Sequence, residues 1–108
     1  MSYIFSNAAA AMRRAAKATY TYRVKFAGNT GTLELQQGRT IKWIEAYQPA
    51  GGTLSMGTAP AGTDLIDVNP VDDQQLPIEV GFLAIANTTI YFTLSNPLGV
   101  GFIDVYAF

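Results

Sequence analysis

"TYTYRVKFAGNTGTLELQ", residues 19–36, carries the reading on which the fold turns. Tyr20, Tyr22, Val24 and Phe26 fall at alternate positions, with Thr19, Thr21, Arg23 and Lys25 between them. Successive side chains of a strand point to opposite faces, so this spacing makes one apolar and one polar face. "GNTG" (28–31) supplies a turn, after which Leu33 and Leu35 resume the alternation.

The same period of two recurs downstream. "TIKWIEAYQ" (40–48) places Ile41, Trp43 and Tyr47 on one side. "TLSMG" (53–57) and "TDLIDV" (63–68) are short β-type runs, and "LPIEVGFLAI" (76–85) is a longer apolar one. "TTIYFTLS" (88–95) is rich in β-branched and aromatic residues, and "GVGFIDVYAF" (99–108) forms a last strand. About eight short strands at turn spacings of roughly 8–12 residues predict an all-β, single-domain β-sandwich or jelly-roll. The expected core is Leu33, Leu35, Ile41, Trp43, Leu54, Leu65, Ile78, Val80, Ile90, Phe92, Ile103 and Val105. The domain division is an arm over residues 1–18 and a sandwich over 19–108.

Residues 1–18, "MSYIFSNAAAAMRRAAKA", break the alternation. Their apolar residues precede their charges, the reverse of a secretory signal, although the Ala- and Arg-rich, acid-free composition also suits a mitochondrial-type presequence. Residues 8–18 are strong helix formers with Ser6 or Asn7 as N-cap, so a short helix or an extended arm is expected there. Charge is divided along the chain. Arg13, Arg14, Lys17, Arg23 and Lys25 are five of the seven basic residues, and the rest of the chain carries a net charge of −6. An arm of this kind seeks an acidic surface. Its tip, Tyr3, Ile4 and Phe5, suits an apolar groove on a partner, with Arg13, Arg14 and Lys17 facing acids around it.

Composition narrows the chemistry. The chain has no cysteine and no histidine, which removes disulfides, thiolate catalysis, the commonest general base and the commonest metal ligand. Charged residues make up 14%, well below the usual quarter, so the polar surface is built from Thr, Gly, Gln and Asn. Such a surface suits packing against neighbours. No run approaches the length of a membrane-spanning helix, and no membrane partner is expected.

Candidate sites fail one by one. Gly57 and Gly62 in "GTAPAGTD" have the spacing of a phosphate-binding loop, but Thr63-Asp64 stands where Lys-Ser/Thr is required. A β-branched segment follows instead of a helix, so the loop is a turn between strands. Asp64, Asp67, Asp72 and Asp73 lack the spacing of a calcium loop and are interrupted by Pro70; a solvated acidic loop is expected. Glu34, Glu45 and Glu79 are the carboxylates available for a glycosidase pair. Trp43 with Tyr20, Tyr22 and Tyr47 is the set available for a sugar platform, although alternating aromatics more often serve a core or interface. The basic arm has no interleaved aromatics and the remainder is acidic, so nucleic acid is not the expected partner. The closing "FIDVYAF" mimics an outer-membrane barrel strand but is too short and carries Asp104. No catalytic residue, cofactor or metal ligand is assigned.

The succession "GGTLSMGTAPAGTDLID", "QQLPIEV", "TTIYFTLSN" and "GFIDVYAF" resembles small virion proteins of tailed bacteriophages, over about residues 31–108. It is most similar to the β-sandwich proteins that decorate or cement capsids. The resemblance implies a jelly-roll-like fold, self-association as a trimer or dimer, and an arm reaching onto the shell or a neighbouring subunit. The implied partner is the major capsid protein or another virion protein, and the implied place is the capsid surface, with host cytoplasm during assembly. A tail, neck or fibre-attachment component and a carbohydrate-binding sandwich are the alternatives.

Overall fold

The computed structural model describes residues 20–108, and the expected arm lies outside them. Nine strands form: β1 (Tyr20–Arg23), β2 (Lys25–Ala27), β3 (Thr30–Leu35), β4 (Thr40–Tyr47), β5 (Thr53–Gly57), β6 (Ile66–Pro70), β7 (Leu76–Leu83), β8 (Thr88–Leu94) and β9 (Phe102–Ala107). Nine replace the expected eight because "TYTYRVKF" is divided between two sheets. Val24 sits at the break, where its N–H bonds to the Ile103 carbonyl at 3.0 Å. The predicted alternation holds across the break: Tyr22, Val24 and Phe26 pack on the core while Thr21, Arg23 and Lys25 are exposed.

Sheet A has the order β1-β9-β4-β7 and sheet B the order β2-β3-β8-β5-β6, with every pairing antiparallel. The chain changes sheet at six of its eight connections, interlocking two Greek keys. This is the jelly-roll arrangement. Ile41, Ile44 and Ala46 from β4 and Ile103 and Val105 from β9 face Leu35, Leu54, Met56, Ile90, Phe92 and Leu94 of sheet B. All eleven are buried. Of the other expected core residues, Leu33, Leu65, Ile78 and Val80 are partly buried against this cluster.

Trp43 is the correction. β4 pairs Ile41 with Ala107 but Trp43 with Tyr106, so two residues of β4 span one of β9. This bulge shifts the parity of everything after Ile41. Ile44 and Ala46 turn inward with Ile41, and Trp43, Glu45 and Tyr47 turn outward. Strict alternation would have put Glu45 in the apolar core.

Two of the four outer strands, β6 and β7, are poor templates for further pairing. β6 carries Pro70 and Val68, whose φ of 51° is a left-handed conformation unusual for a β-branched residue. β7 carries Pro77 and an irregularity against β4 that includes Gly81 at φ 71°. Prolines and bulges thus blunt these edges in place of the missing charges.

At the other end of the sandwich, the buried Gln48 donates from Nε2 to the carbonyls of Asn96 (3.1 Å) and Pro97 (3.0 Å). This ties the β8–β9 loop to the end of β4. Gly101 is required beside it, because a Cβ there would overlap the Tyr47 carbonyl oxygen.

Two substitutions test this packing by urea denaturation. Ile44→Ala should cost about 2–5 kcal/mol, and Gly101→Ala about 1–3 kcal/mol through overpacking. Val100→Ala, at an 85% exposed position in the same loop, should stay within about 0.5 kcal/mol of the parent. Equal effects at positions 44 and 100 would contradict the assigned faces.

Candidate functional site

The two outward faces differ in chemistry. On sheet B, paired residues Thr30–Thr93, Thr32–Tyr91 and Glu34–Thr89 point outward, and Ser55 lies opposite Thr93. Glu34 accepts from the Thr89 hydroxyl at 2.8 and 3.0 Å. This is a wettable, threonine-rich surface.

Sheet A turns aromatic residues outward. Cross-strand pairing sets Trp43 beside Tyr106, Glu45 beside Asp104 and Tyr47 beside Phe102. The Trp43 ring lies 6.1 Å from Tyr106 and 5.5 Å, edge-on, from Phe108; Tyr47 lies 5.4 Å from Phe102. Offset and tilted pairs of this kind add about 0.5–1.5 kcal/mol each beyond area burial. Cations border the aromatic strip, with Arg23 over Phe102 at 4.5 Å and Lys42 over Phe108 at 4.7 Å.

Carboxylates sit within this strip. Arg23, opposite Asp104 in the β1–β9 register, donates from Nε and Nη2 to its two carboxylate oxygens at 2.8 and 2.9 Å. The bidentate fork fixes both side chains. Glu45 is fully buried, Asp104 is 8% exposed and Tyr106 is 6% exposed. Burial raises the Tyr106 phenol pKa above its ordinary value, and the Asp104 and Glu45 carboxylates push it further up. The buried indole N–H of Trp43 has no hydrogen-bond partner among the described residues.

The four aromatic residues available for a sugar platform are therefore not brought together. Trp43 and Tyr47 face outward, whereas Tyr22 packs on the core and Tyr20 stacks beside it on the same face at 6.4 Å. The three glutamates are divided as well: Glu34 lies on sheet B, while Glu45 and Glu79 lie on adjacent strands of sheet A. Glu34 has no access to the other two across the core.

The glycine-spaced loop between β5 and β6 is a stapled turn. Thr58 donates from its N–H to Asp64 Oδ1 at 2.9 Å and from its hydroxyl to Oδ2 at 2.7 Å. These bonds, the hydroxyl first, hold the Asp64 pKa below its ordinary value. A Cβ on Gly57 would collide with Gly62 and with the Asp64 carboxylate, so close approach dictates this glycine. The loop borders a groove of about 290 Å³ on sheet B, floored by Thr30, Gly31, Thr32 and Tyr91 and edged by Pro60 and Ala61. Asp72 binds the Gln74 N–H at 2.8 Å, which makes a local turn. Among the described residues, no three His, Cys, Asp or Glu are grouped to hold a metal. No described helix is long and apolar enough to cross a membrane.

The chain matches no family model, no curated protein and no solved structure. Its geometry must speak alone. The sequence-predicted contact residues Tyr3, Ile4, Phe5, Arg13, Arg14 and Lys17 lie outside the described residues. The outward face of sheet A escaped the sequence reading because the bulge hides it. Asp104 between Ile103 and Val105, and Glu45 between Ile44 and Ala46, were the available signals.

The Tyr106 shift has a definite sign. A raised tyrosine pKa gives stability that is complete below about 10 and lost as pH rises through the folded value. Tyr106→Phe should therefore gain on the parent between pH 8 and pH 11 when urea midpoints are compared. An unchanged difference at both pH values would remove Tyr106 from the buried, acid-flanked site.

Proposed function

We propose that this protein is a non-enzymatic structural subunit of a virion, decorating or cementing the capsid of a tailed bacteriophage. It acts through self-association, as a trimer or dimer, and through its N-terminal arm. The observation that carries the proposal is the outward face of sheet A. Trp43, Tyr47, Phe102, Tyr106 and Phe108 form a laterally packed strip in place of a catalytic cleft. Aromatic residues bordered by arginine are the composition of protein contacts. The jelly-roll strand order and the low charge of the chain support the same reading.

Within this proposal the blunted edges of β6 and β7 direct self-association to the sheet faces or to the other two edges, β1 and β2. The arm's apolar tip, Tyr3, Ile4 and Phe5, engages the major capsid protein or another virion protein. Arg13, Arg14 and Lys17 supply the electrostatic part. The protein then resides on the capsid surface, after assembly in host cytoplasm.

A quantified gel of purified particles tests the role. Decoration requires the chain in many copies per particle; a small copy number would move it to the neck, tail or fibre attachment, and absence would overturn the virion reading. Deleting residues 2–18 should leave the sandwich folded and abolish attachment. Replacing Arg13, Arg14 and Lys17 with Ala should weaken attachment and flatten its dependence on salt. Full occupancy by the deletion variant would remove the arm from the mechanism.

A further inference from the structure

We infer that the self-association proposed above, on which this reading rests, occurs edge to edge. Two copies of the chain join through β1, so that two four-stranded sheets A become one sheet of eight strands across a two-fold axis. The edges of the sandwich are unequal. β6 and β7 carry Pro70, Pro77, the left-handed Val68 and irregular registers. β1 and β2 lie at the opposite ends of the two strand orders. β1 pairs with β9 in unbroken register from Tyr20↔Ala107 to Arg23↔Asp104 and contains neither proline nor glycine. Its single charge, Arg23, is held by Asp104. No proline, bulge or unpaired charge guards this edge against a further strand.

The hydrogen-bond pattern identifies the open groups. In an antiparallel ladder alternate residues of a strand bond one neighbour, and the residues between them point the other way. The Val24 N–H bonds the Ile103 carbonyl at 3.0 Å, which puts Val24, Tyr22 and Tyr20 in the set that bonds β9. The far side of β9 agrees. Phe108 exchanges bonds with Thr40 at 2.9 and 3.0 Å, so Phe108, Tyr106 and Asp104 bond toward β4 and leave Ile103, Val105 and Ala107 for β1. The N–H and C=O groups of Thr21 and Arg23 therefore point out of the edge of sheet A. No described strand pairs with them, and both side chains are exposed.

Self-complementarity selects a second copy as the occupant. With two β1 strands antiparallel about an axis at Tyr22, Thr21 faces Arg23 of the second copy, and Arg23 faces its Thr21. Each of the four outward N–H groups, two per copy, then meets an outward carbonyl. Parity is kept as well. Thr21 and Arg23 stay on the exposed side, and Tyr22, which packs on the core, meets Tyr22 of the second copy. No like charges stand directly opposite, and each guanidinium is neutralised by its own Asp104. An axis at Thr21 would exchange only two bonds among the described residues. Pairing of one patch with itself about a two-fold axis is the commonest closed assembly. Growth stops at two copies because β7, the other edge of sheet A, carries Pro77 and its irregular register.

Thr21→Pro removes an N–H that the β1–β9 ladder does not use, a change that edge strands accept. Sedimentation of the full chain over a dilution series should show a dimer. In the Thr21→Pro variant its dissociation constant should rise roughly tenfold or more, because two of the four bonds are lost. The chain has no cysteine, so single thiols report the register. Mild oxidation should cross-link Tyr22→Cys to itself, since the paired Cα atoms lie about 4.5 Å apart, within disulfide reach. Thr21→Cys should stay uncross-linked, its Cα atoms being about 8 Å apart. A cross-link at position 21 in place of 22, or a dimer equally stable in the proline variant, would overturn the inference and leave self-association to another surface. A trimer would do the same. A parent chain that is monomeric at every concentration would remove the edge pairing and the proposed self-association together. Absence of the protein from particles would touch neither.

Discussion

Between Ile41 and Trp43, β4 gains a residue on β9, and the rest of the molecule is arranged around that extra residue. Both neighbours of β4 in sheet A depart from regular register at this point. The consequence is chemical. Ile41, Ile44 and Ala46 share the core, and the charged and aromatic members of the strand go outside together. A bulge of this sort disrupts a ladder locally, and here the loss is offset by keeping a carboxylate out of an apolar interior. Because β9 and β7 both pair with β4, the bulge also decides which side of sheet A becomes the aromatic strip.

The strip is held by interactions that are individually modest. Arg23 joins β1 to β9 through Asp104 while its guanidinium also covers Phe102, so one side chain links an ion pair to an aromatic contact. Lys42 lies over Phe108 from the bulge itself. At the far end, Gln48 anchors the β8–β9 loop and Asn96 returns a bond to the Gly51 carbonyl at 3.0 Å. These contacts fix the side chains along the outward surface of sheet A. The contrast with the threonine-rich sheet B gives the domain one hydroxyl-rich face and one aromatic face.

Much of this was legible in the sequence wherever alternation was uninterrupted. Residues 20–36 read correctly in both period and face, and "TTIYFTLS" and "FIDVYAF" gave Ile90, Phe92, Ile103 and Val105 to the core as observed. The "GTAPAGTD" segment was legible as a turn because an acid stood where a phosphate loop needs lysine. Trp43 was misassigned because a single inserted residue reverses parity and leaves no mark in composition. Asp64 read as a solvated acid, since a staple to Thr58 six positions earlier depends on how the loop closes. Gly57 and Gly101 owe their identity to backbone approaches that only tertiary packing creates. The outward strip and its buried carboxylates were hidden for the same reason: they require knowing that β9 lies between β1 and β4.

The face assignment of β4 is the claim on which the outward aromatic strip and its buried carboxylates both depend. Nuclear Overhauser contacts from the single tryptophan measure it directly. The indole of Trp43 should show contacts to the rings of Tyr106 and Phe108 and none to the methyl groups of Leu54, Ile90 or Leu94, while the Ile44 methyls should contact the core. Contacts from Trp43 to those core methyls, with Ile44 facing outward, would contradict the account.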